Sequence, residues 1–224
     1  MTEECVEMRD TTVAIIHALI KRYPQLSVCH SALQKSVDTL LAAFHQNHKL
    51  LVCGNGGSAA DCEHIVGELM KGFLLERRLD AQKQEQIARM YPENAELFVK
   101  SLQKAVPAIS LCSQTALMTA FGNDVSSQMI FAQQVLGYGC FGDVLLAIST
   151  SGNSASILYA AQIARVQGVK VIGLTGESGG KLRQYCDICI AVPSTSTYKI
   201  QELHLPVYHC LCACVENELF GEDL

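Results

Sequence analysis

No run of about 18 apolar residues occurs in the chain, so a membrane-spanning helix has no candidate. The opening Met1-Thr2-Glu3-Glu4 is acidic and lacks the basic, then apolar pattern of a secretory signal. Basic charge is also in deficit: 17 Lys and Arg stand against 22 Asp and Glu, and the formal net charge of −5 argues against sequence-independent nucleic-acid binding. Internal repeats and low-complexity tracts are missing as well. These absences set the expectation of a cytoplasmic protein whose partners are neither membranes nor nucleic acids. Cysteine, by contrast, is plentiful. Eleven cysteines in a chain without a signal read as reduced thiols. Most sit inside apolar patterns as small buried hydrophobes, as at Cys53, Cys112, Cys210, Cys212 and Cys214. Cys186-Asp187-Ile188-Cys189 has the spacing of a redox motif, but it enters a strand rather than opening a helix, and no second pair completes a zinc site.

At 224 residues, 49% hydrophobic and 17% charged, the chain has the size and composition of one α/β domain with helical additions. Residues 5–22 and 27–47 carry helical periodicity, with apolar stripes at Val13, Ile16, Ile20 and at Leu33, Val37, Leu40, Leu41, Phe44. Tyr23-Pro24 separates them, because proline disfavours helix in the residue before it. From residue 49 the pattern alternates. Strands are expected at 49–53, 106–112, 144–148, 170–174 and 187–192, and helices at 58–74, 114–121, about 127–137, 155–167, 181–185 and 198–218, with turns at 122–124 and 176–180. Val144-Leu145-Leu146-Ala147-Ile148 is a continuous apolar strand of the kind buried on both faces, hence central. Residues 75–95 turn polar, with Glu76-Arg77-Arg78 and Gln82-Lys83-Gln84-Glu85-Gln86, and read as a surface excursion with some helix whose charges form a solvated face.

Five strands alternating with helices imply an α/β three-layer sandwich: a parallel sheet with right-handed crossovers and helices on both faces, preceded by an N-terminal helical extension. The expected division is 1–48 as N-terminal helices packing on the domain and on partner subunits, and 49–224 as the domain itself. One sheet face covers one of the two N-terminal stripes, which leaves a partner subunit as a home for the other.

Two polar loops stand at strand ends. Gly54-Asn55-Gly56-Gly57-Ser58 follows the first strand and opens a helix. It is either an anion cradle of backbone N–H groups and a helix N-terminus or simply a tight strand-to-helix turn. A dinucleotide fingerprint would need glycine where Ala59 stands, and no Gly-Lys-Ser/Thr follows for a Walker loop. Ser149-Thr150-Ser151-Gly152-Asn153-Ser154 follows the central strand and again opens a helix, a second anion pocket by the same physics. Ser154 is also a reasonable N-cap, which accounts for one hydroxyl but not for the cluster. Ligands in such sheets bind beyond the carboxyl ends of the strands, where both loops lie. His64 and Glu68, four apart, share one helix face.

The set Gly54-Asn55-Gly56-Gly57-Ser58, Asn123-Asp124, Ile148 to Ser154, Leu174-Thr175-Gly176 and Ile200-Gln201-Glu202-Leu203-His204 resembles the sugar isomerase (SIS) domain family over about residues 30–218, in consistent order. More closely, it is similar to the family's isomerases of heptose phosphates. The resemblance implies a flavodoxin-like SIS fold and an aldose–ketose isomerase that converts sedoheptulose 7-phosphate to D-glycero-D-manno-heptose 7-phosphate. It implies substrate contacts from Asn55, Gly56, Gly57, Ser58, Glu68, Asn123, Asp124, Ser149, Thr150, Ser151, Ser154 and Gln201. It further implies one zinc ion (Zn2+) per subunit on His64, Glu68, Gln201 and His209, Glu68 and His209 as the catalytic acid/base pair, and a homo-oligomer, a tetramer. The excursion 75–95 is longer than the short link this resemblance implies.

The chemistry of such a reaction suits these side chains. Moving a proton between C1 and C2 needs a base over carbon and an acid at the carbonyl oxygen, and carboxylate plus imidazole serve both near neutral pH. Zinc on nitrogen and oxygen ligands polarises such a carbonyl. Glu68 does not serve as tight ligand and free base at one moment, so one role is conditional on substrate. Gln201 and His209 lie eight residues apart, about 12 Å of straight helix, and share a metal only through long reaches, a bend at Pro206 or neighbouring subunits. Two rival readings remain: a SIS-fold binding module or replication-initiator adaptor, and an isomerase of another sugar phosphate. Retention of both Glu68 and His209 favours the enzyme over the module.

Overall fold

The structure is a computed structural model that describes residues 8–221. Tyr23-Pro24 divides the N-terminal region: helix α1 spans Asp10–Arg22, a 3-10 turn covers Pro24–Cys29, and α2 spans His30–His45. The helical start expected at residue 27 is thus shifted, because the chain leaves Pro24 in a 3-10 turn. The part of the first helix expected before residue 8 lies outside the described residues.

Strand β1 (Leu50–Cys53) feeds α3 (Gly57–Met70), and β2 (Ala108–Ser110) feeds α6 (Thr115–Phe121). The turn expected at 122–124 is instead a π-helical turn, Gly122–Ser126, that continues α6. After α7 (Ile130–Tyr138) come β3 (Val144–Ser149), α8 (Ala155–Val166), β4 (Lys170–Thr175), a 3-10 turn at Gly180–Tyr185, and β5 (Ile188–Ala191). Helix α9, Thr197–Phe220, runs through Pro206.

All five strands are parallel in the order β2-β1-β3-β4-β5. Every residue of β1 and β3 is buried, and alternation sends them to opposite faces. Leu50, Val52, Leu146 and Ile148 pack toward α2, α3 and α9, where Ile16 and Leu19 of α1 also reach the core. Leu51, Cys53, Leu145 and Ala147 pack toward α7 and α8. The three layers expected from the alternation are therefore present. Both N-terminal stripes find cover in the same chain: α1 lies on α9, with Asn217 Nδ2 donating to Thr11 Oγ1 (2.8 Å) and Thr12 Oγ1 (2.9 Å).

The polar excursion forms α4 (Ala81–Met90) and ends where α5 (Ala95–Ser101) begins, and neither helix buries a residue. One of its charges departs from expectation. Glu76 and Arg78 pair on the surface, but Arg77 is buried, because Glu216 of α9 offers it a carboxylate in the interior. Arg77 also explains why α3 stops at Met70 rather than running to 74: its guanidinium takes the carbonyls of Glu68 and Leu69, and Lys71 turns extended. The ten described cysteines are all free; Cys53, Cys210, Cys212 and Cys214 are buried as expected, Cys29 and Cys62 are buried too, and Cys112, just past the end of β2, is only partly buried. No helix among the described residues is long and apolar enough to cross a membrane.

Candidate active site

The strand order reverses direction at β1 and β3, and ligand crevices in open parallel sheets form at such a switch point. The glycine loop leaves β1 and the serine loop leaves β3, so the two stand side by side above paired strands in which Cys53 aligns with Ala147. Gly56 has φ +57° and ψ −123°, a conformation open to glycine, and it turns the chain directly into α3. A side chain on Gly57 would strike the Gln201 amide, which brings α9 onto the loop.

Asn55 ties the two loops together. Its Nδ2 donates to Ser154 Oγ at 2.9 Å and Ser156 Oγ at 3.0 Å. Ser154 occupies the N-cap position of α8 but makes no side-chain cap bond, so its hydroxyl goes to Asn55 and Ser156 rather than to the helix. Ser151 Oγ accepts from the Asn153 N–H at 3.2 Å, and Asn153 Oδ1 accepts from Lys181 N–H at 3.1 Å. Gly152 has φ +64°, and a Cβ there would run into the backbone of Gly179 and Gly180. The loop is thus wedged against the turn after β4, and Gly176 N–H donates to the Thr150 carbonyl at 2.9 Å. Ser149 is buried, Thr150 and Ser154 are partly buried, and Ser151 is exposed. Hydroxyls, a helix N-terminus and a fixed backbone give this junction the chemistry of an oxyanion site.

A second cluster lies along α3. His64 Nε2 stands 3.2 Å from Glu68 Oε1 and 3.4 Å from His209 Nε2. Glu68 Oε2 accepts from Lys71 Nζ at 3.1 Å. The contacts of α9 with α3 advance in step, Gln201 at Gly57, Tyr208 at Asp61 and His64, Glu216 at Phe73, so the two helices run parallel. The Tyr208 hydroxyl lies 3.1 Å from His64 Nδ1 and donates to Asp61 Oδ1 at 3.3 Å, holding the imidazole from behind. Burial lowers the pKa of His209, with His64 acting in the same direction and Glu68 opposing, which favours the neutral ring. Burial also raises the carboxyl of Asp61, against the Tyr208 hydrogen bond and His64.

Of the residues singled out in the sequence, the fold brings Asn55, Gly56, Gly57, Ser58, Ser149, Thr150, Ser151 and Ser154 to one crevice. It gathers His64, Glu68 and His209 into one cluster. Gln201 stands at the crevice, about 10 Å of helix from the level of His64. Asn123 and Asp124 lie in the π turn, exposed and bonded to each other at 2.9 Å. Among the described residues no group of three or more His, Cys, Asp or Glu side chains is set to hold a metal ion. The two close pairs share only His64. Asp61, Tyr208 and Ser156 escaped the sequence reading. Asp61 precedes His64 by three, a spacing that a helical wheel centred on His64 would have flagged, whereas Tyr208, next to His209 in sequence and so not on its face of α9, carries no such signal.

The class of protein follows from this geometry and from comparison. The pattern of the SIS domain matches residues 16–110 and 90–176, and the chain belongs to the SIS domain family. It is 39% identical over 212 residues to the phosphoheptose isomerase of Rhodospirillum rubrum, covering 95% of this chain and 99% of that protein. It is 40% identical over 192 residues to the phosphoheptose isomerase of Clostridium acetobutylicum, covering 86% and 85%. The solved phosphoheptose isomerase of Francisella tularensis superposes with a TM-score of 0.70 at 30% identity, over 97% of this chain and all of that one.

Proposed function

We infer that the chain is an aldose–ketose isomerase that interconverts sedoheptulose 7-phosphate and D-glycero-D-manno-heptose 7-phosphate for heptose biosynthesis. The observation that carries this reading is the meeting of two phosphate-suited loops at the switch point with a carboxylate–imidazole cluster on the helix that leaves one of them. Ser151 and Ser154 hydroxyls and the first turn of α8 hold the phosphate, and Asn55 orients Ser154. Gln201, Asn123 and Asp124 are assigned to the sugar hydroxyls. The Glu68 carboxylate takes a proton from C1 of the ketose while His209, a neutral imidazole, gives its ring proton to the oxygen on C2. His209 then removes the proton from the oxygen on C1, and Glu68 returns its proton to C2, leaving an aldehyde at C1 and a hydroxyl at C2.

The donor set of the cluster suits zinc. Two ligands about 2.0–2.1 Å from one tetrahedral zinc lie about 3.3 Å apart, close to the 3.2 and 3.4 Å that separate His64 from Glu68 and His209. His64, Glu68 and His209 would hold the ion, with Gln201 as fourth ligand on leaving Gly57 or from a neighbouring copy. Bound there, zinc supplies Lewis-acid polarisation of the sugar carbonyl. Glu68 has an oxygen for each role: Oε1 faces His64, and Oε2 faces only the exposed ammonium of Lys71, from which a substrate can displace it.

The His64 side chain is 43% exposed, so within one subunit the cluster is open to water. A homotetramer whose copies close over α3 and α9 supplies the missing wall, with residues 1–48 contributing to those contacts and 49–224 forming the SIS domain. The protein is assigned to the cytoplasm. The test is incubation of the purified chain with sedoheptulose 7-phosphate in deuterated water, with and without zinc. Aldose product is expected, with solvent deuterium at C2 wherever the Glu68 carboxyl exchanges its proton with solvent before returning it. Absence of both product and exchange with heptose, hexose and pentose phosphates alike would overturn the enzyme reading in favour of a sugar-phosphate-binding module.

A further inference from the structure

The ion pair between Arg77 and Glu216 lies at the junction of the two helices that carry Glu68 and His209. Both side chains are fully buried. Arg77 uses its fork in three directions: Nε donates to Glu216 Oε1 at 2.7 Å, Nη1 to the Leu69 carbonyl at 2.6 Å, and Nη2 to the Glu68 carbonyl at 3.0 Å. Those carbonyls belong to the last turn of α3, which has no helical partners for them. Glu216 in turn accepts from the N–H groups of Phe73, Leu74 and Leu75 at 2.8, 2.6 and 3.1 Å. It lies two turns beyond His209, so both project from one face of α9. Phe220 closes the site, with the guanidinium 4.8 Å from its ring centroid.

A buried ion pair is a costly way to hold a fold, since apolar residues of similar volume often serve as well or better. Its geometry here does something apolar residues do not: it fixes the backbone of Glu68 to the helix of His209 through directed bonds. We propose that Arg77 and Glu216 are positioning residues that set the separation and orientation of Glu68 and His209. This rests on the assignment of those two residues as the acid/base pair. Lysine at 77 keeps the charge near Glu216 but has a point ammonium in place of the fork, so it cannot reproduce all three directions.

The test compares Arg77→Lys and Glu216→Gln with Arg78→Ala, a surface neighbour paired with Glu76. Thermal melts fix a temperature at which each variant is folded. For Arg77→Lys, kcat on sedoheptulose 7-phosphate is expected to fall about 10- to 100-fold, the cost of misplacing reacting groups by a fraction of an ångström to an ångström. KM should stay within about threefold, because the serine loop is untouched. Arg78→Ala should match the wild type. Ring resonances of His64 and His209 in NMR spectra should move in Arg77→Lys and not in Arg78→Ala, a readout independent of any activity. Should Arg77→Lys fail to fold, Glu216→Gln, which keeps one carbonyl for the loop N–H groups, carries the same expectations. A folded variant with wild-type kcat and unmoved histidine resonances overturns the proposal. A wild-type protein inactive on every sugar phosphate overturns the isomerase reading instead, and the resonances alone then decide this one.

Discussion

Asn55 offers the sharpest test of how the phosphate pocket is built. Its two amide hydrogens go to Ser154 and Ser156, so each serine oxygen is already accepting, and of the two hydroxyl protons one bridges the pair and the other is left to donate outward. Asn55→Ala removes both bonds, lets the glycine and serine loops part, and lets the serines turn back on one another; Ser154 and Ser156 already stand 3.3 Å apart. A net hydrogen bond contributes about 0.5–1.5 kcal/mol, so the pair is worth about 1–3 kcal/mol. Asn55 is exposed, which places the expected effect near the lower end of that range, about 1–1.4 kcal/mol. That corresponds to about a 5- to 10-fold loss of affinity for sugar phosphate. Asn55→Asp keeps the shape, removes the donors and adds an anion beside the phosphate, so its loss should exceed that of alanine and shrink with added salt. Calorimetric titration with sedoheptulose 7-phosphate and with inorganic phosphate reads both. Wild-type affinity in both variants would refute the claim that the serines are oriented by Asn55.

Three further outcomes follow from the same geometry. Glu68→Gln and His209→Ala should each lower kcat by about 10²–10⁴-fold while sugar-phosphate binding through the serine loop persists, as measured by calorimetry beside the kinetic assay. Gly152→Ala should cost at least about 1–2 kcal/mol from its positive φ alone. The collision of its Cβ with Gly179 should also displace the serine loop, visible as weakened phosphate binding and an earlier melt. His204 is fully buried, neither ring nitrogen has a well-formed hydrogen bond, and burial outweighs the help of the Thr175 backbone to bring its pKa down to about 4. The unfolded chain therefore binds the proton first as pH falls from the ordinary value of about 6.5, and stability drains across the window down to about 4, by about 3 kcal/mol. His204→Leu should flatten that part of the urea-midpoint profile against pH, and an unchanged slope would contradict it.

The sheet was legible because it rests on local physics. Apolar runs at 50–53, 144–149 and 170–175 have no amphipathic alternation, and only a parallel sheet covered on both faces buries them. The position of both polar loops was legible for the same reason, since small polar residues at strand-to-helix junctions mark the carboxyl edge of such a sheet wherever they occur. What the sequence concealed was non-local. Asn55 and Ser154 are 99 residues apart, and nothing in either loop announces that one orients the other. Arg77 shows the limit most clearly. In Glu76-Arg77-Arg78 three adjacent charges look alike, and for the outer two the solvated reading was right. The middle one turns inward because a carboxylate 139 residues later waits at the end of α9, and only the packing of α9 against α3 reveals it. A charge run on a sequence therefore gives the average environment of its members. The exception within it, a cation whose desolvation is offset by a distant partner, belongs to tertiary structure, and here it falls beside the residues assigned to catalysis.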